Sequence, residues 1–188
     1  MKPSIPFSGP LIIDAVATPG GGLIGMMHCP GRCVVPWQRD LRADLAAIEA
    51  WGADALVSLI EGREFDTLGV SAFPQVMLAS HVTWHHIPIA DMRSPGPETM
   101  SAWAHAGPPI LETLRGGGRV ALHCAAGLGR TGTIAAKILI SLGVPPTDAI
   151  AQIRRARPGT IETPEQEAFV LYGASFAVTA PSAPDRHG

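Results

Sequence analysis

The 188-residue sequence has little cysteine and no marked excess of charge of either sign. Its three cysteines, Cys29, Cys33 and Cys124, are too few for a disulfide-stabilised scaffold and indicate a reducing compartment. The formal net charge is −2, so no basic surplus points to nucleic acid or an anionic membrane as a partner. These shortages predict a cytoplasmic protein that binds neither nucleic acid nor membrane.

Long apolar runs are also missing, although hydrophobic residues make up 46% of the sequence. Glycine, proline or charge interrupts each run well before the roughly 20 residues that a membrane-spanning helix requires. The opening MKPSIPFSGP lacks the continuous apolar segment of a signal peptide. No internal repeat is present. We therefore expect a monomer with a single domain over residues 1–177 and a disordered tail over residues 178–188.

Strand-like and helix-like segments alternate along the chain. The stretch LIIDAVATPGGGLIGMM predicts two short strands joined by a glycine-rich turn, and RVALHC predicts a later strand. Apolar residues recur at helical spacing in DLRADLAAIEAWG. A further helix is predicted from about Pro97, and Pro108 and Pro109 are expected to break or kink it. This alternation predicts an α/β fold with a central, mostly parallel sheet flanked by helices.

The stretch RVALHCAAGLGRTGTIAAKI joins a strand to a helix through a loop of small residues. Backbone N–H groups in such a loop and in the first turn of the helix can surround an anion, and the helix dipole adds partial positive charge. The guanidinium of Arg130 can bind two phosphate oxygens at once. The predicted phosphate-binding residues are Ala125, Ala126, Gly127, Leu128, Gly129 and Arg130.

Cys124 stands at the start of this loop and is the predicted nucleophile. A thiol at a helix N-terminus beside an arginine is readily deprotonated, and the thiolate is the nucleophilic form. The hydroxyl of Thr131 can hydrogen-bond the sulfur and assist its departure. His123 is expected to order the loop and to influence the thiolate without acting as a direct base, because neighbouring side chains on a strand point to opposite faces.

The run His-Cys-x5-Arg-Thr resembles the signature of cysteine-dependent protein phosphatases. All of its fixed positions are present, at His123, Cys124, Gly127, Arg130 and Thr131. The resemblance implies a phosphotyrosine protein phosphatase-like fold, hydrolysis through a cysteinyl-phosphate intermediate, and no cofactor. The alternative interpretation is a buried structural cysteine in a glycine-rich turn.

Expulsion of an alkoxide or phenoxide requires a proton, for which a carboxylic acid on a movable loop is the usual source. Asp91 follows a predicted strand and begins a loop rich in proline and glycine. The family resemblance implies a general acid on such a loop, so Asp91 is the predicted acid in the first step and base in the second. Glu98 is the alternative, although acidic residues also favour a first helical turn. Ala90 stands where many relatives have proline or tryptophan, so loop closure is expected to differ.

The segment IRRARPGTIETPEQEAFV resembles the region that follows the signature helix in small atypical dual-specificity phosphatases. The resemblance implies that Glu162 and Gln166 approach the site, where they position water for hydrolysis of the cysteinyl-phosphate. The alternative is helix capping, with Thr163 as N-cap and Gln166 at the third helical position. The wider likeness covers about residues 40–172 and extends to phosphatases of the cyclin-dependent-kinase-associated type and to bacterial relatives.

Two other groups of residues receive no catalytic role. Arg154, Arg155 and Arg157 end a predicted helix, where cations compensate the helix dipole, and a solvated face is expected there. Cys29 and Cys33 have the spacing of half a zinc site, but no second pair of ligands is suitably spaced. No metal site is therefore predicted.

The composition of the loop favours a protein substrate. Phosphoinositide phosphatases of this superfamily carry lysines in the loop, where this chain has Ala125, Ala126 and Leu128. Classical tyrosine phosphatase domains are longer. The compact type hydrolyses phosphotyrosine and sometimes phosphoserine or phosphothreonine, and this is the predicted activity. Two alternatives remain open: a phosphoprotein-binding module with little turnover, and a phosphatase for a non-protein phosphate ester.

Overall fold

The computed structural model describes residues 9–174 and residue 176. The strands, in chain order, are β1 (Asp14–Ala17), β2 (Leu23–Met27), β3 (Ala55–Ser58), β4 (Thr83–His86) and β5 (Arg119–His123). They form one sheet in the order β1-β2-β5-β3-β4. Only the pairing of β1 with β2 is antiparallel in this sheet, so the predicted mostly parallel sheet and the amino-terminal hairpin are confirmed.

Helices flank this sheet. They are α1 (Leu41–Ala50), α2 (Glu64–Thr67), α3 (Phe73–Met77), α4 (Pro97–Arg115), α5 (Gly129–Ser141), α6 (Pro146–Ala156) and α7 (Pro164–Tyr172). Helix α5 contacts β2, β5, α6 and α7, so the helix that follows the predicted nucleophile is packed on several sides. Its residues from Gly129 to Leu139 are all buried, which fixes the start of the helix firmly against the rest of the molecule.

The sheet register brings three strand ends together. The parallel ladders pair the last residue of β5, His123, with Ser58 at the end of β3 and with Met27 at the end of β2. Strand β3 is wholly buried and β5 is buried except for its first residue, as expected for central parallel strands. Because parallel strands end at one edge, the residues that follow them meet there, and Cys124 is among them.

Helix α4 departs from the sequence-based expectation. Pro108 and Pro109 lie inside one continuous helix, so the predicted break is wrong. A proline in a helix interior costs about 3 kcal/mol. Trp103 precedes the prolines, Ile110 and Leu114 follow them, and all three are buried. Each such side chain contributes roughly 1.5–3 kcal/mol by burial, so packing on both sides outweighs the loss of helical hydrogen bonds.

Two findings concern the ends of the chain and the membrane. The tail predicted over residues 178–188 lies outside the described residues. Within residues 9–174 and 176, no helix is both long and apolar enough to span a bilayer.

Candidate active site

Residues 124–130, here called the phosphate loop, connect β5 to α5. Cys124 is 3% exposed, and its sulfur accepts the backbone N–H of Gly127 at 3.2 Å. Gly127 has a φ of 73°, and a Cβ at this position would lie 2.2 Å from the carbonyl oxygen of Met27. Glycine is therefore required here both for its backbone conformation and for space.

The phosphate loop contains backbone donors without acceptors. Among the described residues, the N–H groups of Ala125, Ala126 and Leu128 have no hydrogen-bond acceptor. Successive N–H groups of this kind, followed by a helix N-terminus, form a binding site for an anion. The loop can therefore receive a phosphate through its backbone, without a lysine.

Arg130 is fixed by a carboxylate that the sequence analysis missed. It is 1% exposed, and it donates to both oxygens of Glu64 at 2.6 and 3.0 Å and to the carbonyl of Ile89 at 3.1 Å. Burial alone lowers the pKa of Arg130, but the bonds to Glu64 and the neighbouring negative groups outweigh it and raise the pKa above its usual value. The guanidinium thus remains charged and oriented.

Asp91 and Arg130 meet at the same cavity. Oδ1 of Asp91 lies 2.9 Å from Nη2 of Arg130, although the Asp91 side chain is 65% exposed. Both residues line a cavity of about 250 Å³ together with Cys124. Glu98 lies in the first turn of α4 and lines a different cavity. The structure therefore brings Asp91, and not the alternative Glu98, to the predicted nucleophile.

Residues 90–96, here called the acid loop, are held on α7. The backbone N–H and hydroxyl of Ser94 donate to Oε1 of Glu165 at 3.0 and 2.9 Å, and Nη1 of Arg93 lies 3.3 Å from Oε2. The bonds from Ser94 hold the pKa of Glu165 below its usual value. All of these contacts are at the surface, so solvent competes for them.

His123 is buried and hydrogen-bonded on both ring nitrogens. Nδ1 lies 3.2 Å from the carbonyl oxygen of Cys124, which can only accept, so Nδ1 carries the proton. Nε2 lies 2.6 Å from Oγ of Ser58, which accepts from the indole N–H of Trp84 at 2.9 Å. Burial lowers the pKa of His123 to about 4. His123 is thus a neutral group that contacts the backbone of Cys124, and its role in ordering the loop stays a prediction.

Thr131 lies in the first turn of α5. The residue is fully buried, and its hydroxyl has no hydrogen-bond partner among the described residues. Its contact with the sulfur of Cys124 as that sulfur departs stays a prediction. A buried hydroxyl without a partner is costly, so this group is available to a new acceptor.

Glu162 and Gln166 both line the cavity that contains Cys124. Oε2 of Glu162 accepts the N–H of Gly129 at 2.9 Å, at the first residue of α5. Oε1 of Gln166 accepts the N–H groups of Glu162 and Thr163, and Oγ1 of Thr163 accepts the N–H of Gln166. The predicted capping role is thus present, and both side chains also approach the cavity as the resemblance implied.

Arg157 corrects an expectation. It was predicted to be solvated, but it is 4% exposed. It donates to the carbonyls of Gly127 at 2.7 Å and Ala126 at 3.1 Å, and it pairs with Asp14 at 2.5 Å. By fixing two carbonyls of the phosphate loop, it supports the conformation in which the loop amides are unpaired.

A sequence signal for this buried position exists. Ile150 and Ile153 form the buried face of α6, and Arg157 continues their spacing of three and four residues. Arg155 lies off this face and is exposed, as predicted. Arg154 is half-buried and pairs with Glu167 at 2.6 Å, so it is only partly solvated.

The other two cysteines diverge in position. Cys29 is buried and Cys33 is exposed, and both are free thiols. Burial raises the pKa of Cys29, and its electrostatic interaction with nearby Cys124 adds to this effect. In the part of the chain that the structure describes, no group of three or more potential ligands could hold a metal ion.

Comparison with known families shows which proteins this chain resembles. Residues 33–144 match a family model described as "Tc-R-P: Polymorphic toxin system, DSP-PTPase phosphatase". The tyrosine-protein phosphatase CDC14 of Candida albicans is 41% identical over 61 residues, which are 32% of this chain and 11% of that protein. The dual specificity protein phosphatase CDC14C of Homo sapiens is 44% identical over 60 residues, which are 31% of this chain and 13% of that protein. The aligned segment thus spans a small fraction of these relatives' length.

Solved structures resemble the whole described fold. The kinase associated phosphatase KAP, in a form whose catalytic cysteine is replaced by serine, aligns with a TM-score of 0.77 at 21% identity. That alignment covers 87% of this chain and 93% of KAP. Tk-PTP, in a glycine-to-alanine mutant form, aligns with a TM-score of 0.61 at 30% identity, covering 84% of this chain and 91% of Tk-PTP.

Proposed function

The chain belongs to the DSP-PTPase phosphatase family, and on that premise we propose that it hydrolyses phosphotyrosine, phosphoserine and phosphothreonine in proteins through a cysteinyl-phosphate intermediate. One observation carries the proposal: Cys124, Arg130 and Asp91 line a single cavity. A nucleophile, a phosphate-binding cation and a carboxylic acid are the groups that a two-step phosphoryl transfer requires.

In the first step the sulfur of Cys124 attacks phosphorus, forming the S–P bond as the bond to the leaving oxygen breaks. Arg130 and the unpaired amides of the phosphate loop bind the non-bridging oxygens and stabilise their charge in the transition state. Asp91, in its protonated form, donates a proton to the departing oxygen. Arg130 lies 2.9 Å from Asp91, so the cation and the acid are close enough to contact the same phosphoryl group.

In the second step a water molecule attacks phosphorus and the S–P bond breaks. Asp91 accepts a proton from this water, so that inorganic phosphate is released and the acid is restored. Glu162 and Gln166 lie at the same cavity and orient the water. The hydroxyl of Thr131, which has no partner within the described structure, donates to the departing thiolate.

The proposed enzyme is a cytoplasmic monomer that acts on phosphorylated proteins or peptides without a cofactor. The low cysteine content and the balanced charge support the compartment and the absence of nucleic-acid and membrane partners. The uncharged side chains of Ala125, Ala126 and Leu128 support a protein substrate over a polyanionic lipid headgroup.

Phosphate release tests this proposal directly. The wild-type protein and Cys124→Ser are assayed with para-nitrophenyl phosphate and with matched phosphotyrosine, phosphoserine and phosphothreonine peptides. We expect turnover by the wild type on both kinds of substrate and a loss of at least about 10⁴-fold in Cys124→Ser. Cys33→Ser, at an exposed thiol, is the matched control and should retain activity.

Other outcomes would favour the alternatives. Peptide binding without phosphate release from any substrate would indicate a binding module. Turnover confined to non-protein esters would remove the protein substrate from the proposal. Activity retained by Cys124→Ser would exclude the cysteinyl-phosphate mechanism.

A further inference from the structure

A second arginine faces the cavity of the predicted nucleophile. Arg32 lies in the loop that follows β2 and lines the cavity together with Cys124, Ala125 and Arg130. The same loop is tied to the phosphate loop, because the N–H of Cys29 donates to the carbonyl of Ala125 at 3.2 Å. Arg32 is therefore held beside the phosphate loop by local structure.

The guanidinium of Arg32 is oriented by two contacts. It lies over the ring of Trp37, 4.5 Å from the ring centroid, and Trp37 is itself buried. Its Nη1 donates to the carbonyl of Ala125 at 3.4 Å, which is a long hydrogen bond. Its Nε is buried and has no partner within the described residues. Arg32 is thus held at the cavity wall, and its Nε–H is a hydrogen-bond donor that no described residue uses.

The other buried arginines each have a carboxylate. Asp44 pairs with Arg39, Glu64 with Arg130, and Asp14 with Arg157. Among the described residues, Arg32 has no carboxylate partner, although it is half-buried. Burial lowers the pKa of Arg32, which reports the cost of holding this charge away from water. An anion that enters the cavity would offset that cost.

The scissile phosphate already has ligands elsewhere. The amides of the phosphate loop and Arg130 surround the position that Cys124 attacks, so a further cation at the cavity wall is not needed for that group. We propose that Arg32 binds a second anionic group of the substrate, the carboxylate of an aspartate or glutamate next to the phosphorylated residue. This assignment rests on the proposed protein phosphatase activity. The flat guanidinium suits a carboxylate, which it can bind through two parallel hydrogen bonds.

Matched phosphopeptides test the assignment. Three phosphotyrosine peptides differ only in having aspartate, asparagine or lysine next to the phosphotyrosine, and kcat/KM is measured for each. We expect the wild type to prefer aspartate over asparagine by roughly tenfold, as one charge-assisted hydrogen bond provides. Arg32→Ala should lower this ratio to about 1, and Arg32→Glu should invert the order in favour of lysine. Because the ratio is taken within one protein sample, it does not depend on the folded fraction.

Arg42 provides the matched control. It is an exposed arginine on α1, and Arg42→Ala should keep the wild-type ratio. An equal fall of kcat/KM on all three peptides in Arg32→Ala would overturn the assignment and place Arg32 on the scissile phosphate. A wild type without preference would overturn it as well. Turnover of para-nitrophenyl phosphate with no peptide hydrolysis would instead remove the proposed function, and this assignment with it.

Discussion

The phosphate loop and the acid loop face each other across one cavity, but they are held in different ways. The phosphate loop lies among buried groups: Arg157 binds its carbonyls, and His123 binds the backbone of Cys124. The acid loop is held by exposed contacts to Glu165, but also by the ion pair of Asp91 with Arg130 and by a hydrogen bond from Nε2 of the buried Gln166 to the carbonyl of Arg93 at 3.2 Å. Exposed contacts of this kind contribute little stability and exchange readily with water. The comparison predicts that the phosphate loop is the more rigid of the two and that the acid loop exchanges more readily between positions.

Removal of the Asp91 carboxyl group should distinguish the role of the acid loop from that of the phosphate loop most clearly. Asp91→Asn keeps the size of the side chain but cannot donate the proton, so phosphoserine hydrolysis should fall by about 10²–10⁴-fold. para-Nitrophenolate leaves without a proton, so the turnover of its ester should fall much less. Steady-state kinetics on both substrates would check this.

Glu98→Gln is the matched control for Asp91→Asn, because Glu98 lines a different cavity. It should leave the ratio of the two rates unchanged. Equal losses on both substrates in Asp91→Asn would remove Asp91 from its proposed role.

Acidification should lower the free energy of unfolding through two buried histidines, His123 and His28. Burial lowers the pKa of His123 to about 4 and that of His28 to about 3, from an ordinary value of 6.5. Between pH 6.5 and these values the unfolded chain binds more protons than the folded one, so the free energy of unfolding falls as pH falls. The shift of His123 corresponds to about 3 kcal/mol. Urea denaturation at several pH values would measure the loss.

A variant at the buried ring tests this effect. His123→Gln should reduce the pH dependence of unfolding relative to the wild type. NMR titration of the ring protons in the wild type provides a second measurement that needs no variant. A titration of His123 near pH 6.5 would contradict the expected burial effect.

Removal of Arg157 should weaken the phosphate loop itself. Arg157→Met keeps much of the side-chain volume but leaves the carbonyls of Ala126 and Gly127 without their donor and Asp14 without its cation. We expect a loss of about 2 kcal/mol in the free energy of unfolding. Arg155→Met, at an exposed residue in the last turn of α6, should change it by less than about 0.5 kcal/mol. A similar effect of both variants in urea denaturation would contradict the clamping role.

The smallest effect is expected at the surface contact of the acid loop. Glu165→Ala removes the acceptor for Ser94 and the partner of Arg93. The acid loop should therefore occupy its conformation against α7 for a smaller fraction of the time. Phosphoserine turnover should fall several-fold at most, because exposed contacts contribute little, and para-nitrophenyl phosphate turnover should fall less. Glu112→Ala, at an exposed position of α4, is the control. An equal loss on both substrates would count against a role through Asp91.

The parts of this site that sequence reasoning predicted are local. Cys124 and Arg130 are close in the chain and share one strand–loop–helix unit, so their spacing alone suggested a common site. The cap of α7 at Thr163 was also predicted, because it depends on residues within one turn. Asp91 was assigned because the family resemblance implies a general acid on a loop of this kind, and Asp91 begins a loop after a predicted strand.

The parts that were missed depend on contacts between distant segments. Glu64 follows β3 and pairs with Arg130, and Arg32 follows β2 and lines the cavity. Both contacts arise because β2 and β3 end beside β5 in the sheet. Spacing along the chain carries no signal for either residue. The break predicted at Pro108 and Pro109 also failed because of contacts with distant segments. Tertiary packing on both sides of the two prolines keeps α4 continuous.

The pair of Arg157 and Asp14 links residues separated by 143 positions in the chain. A ribosome completes Asp14 long before Arg157, so the phosphate loop emerges without the clamp that holds its carbonyls. The clamp can form only after nearly all of the described domain has been synthesised. A nascent chain that already carries Cys124 and Arg130 therefore still lacks one of the contacts that support the phosphate loop.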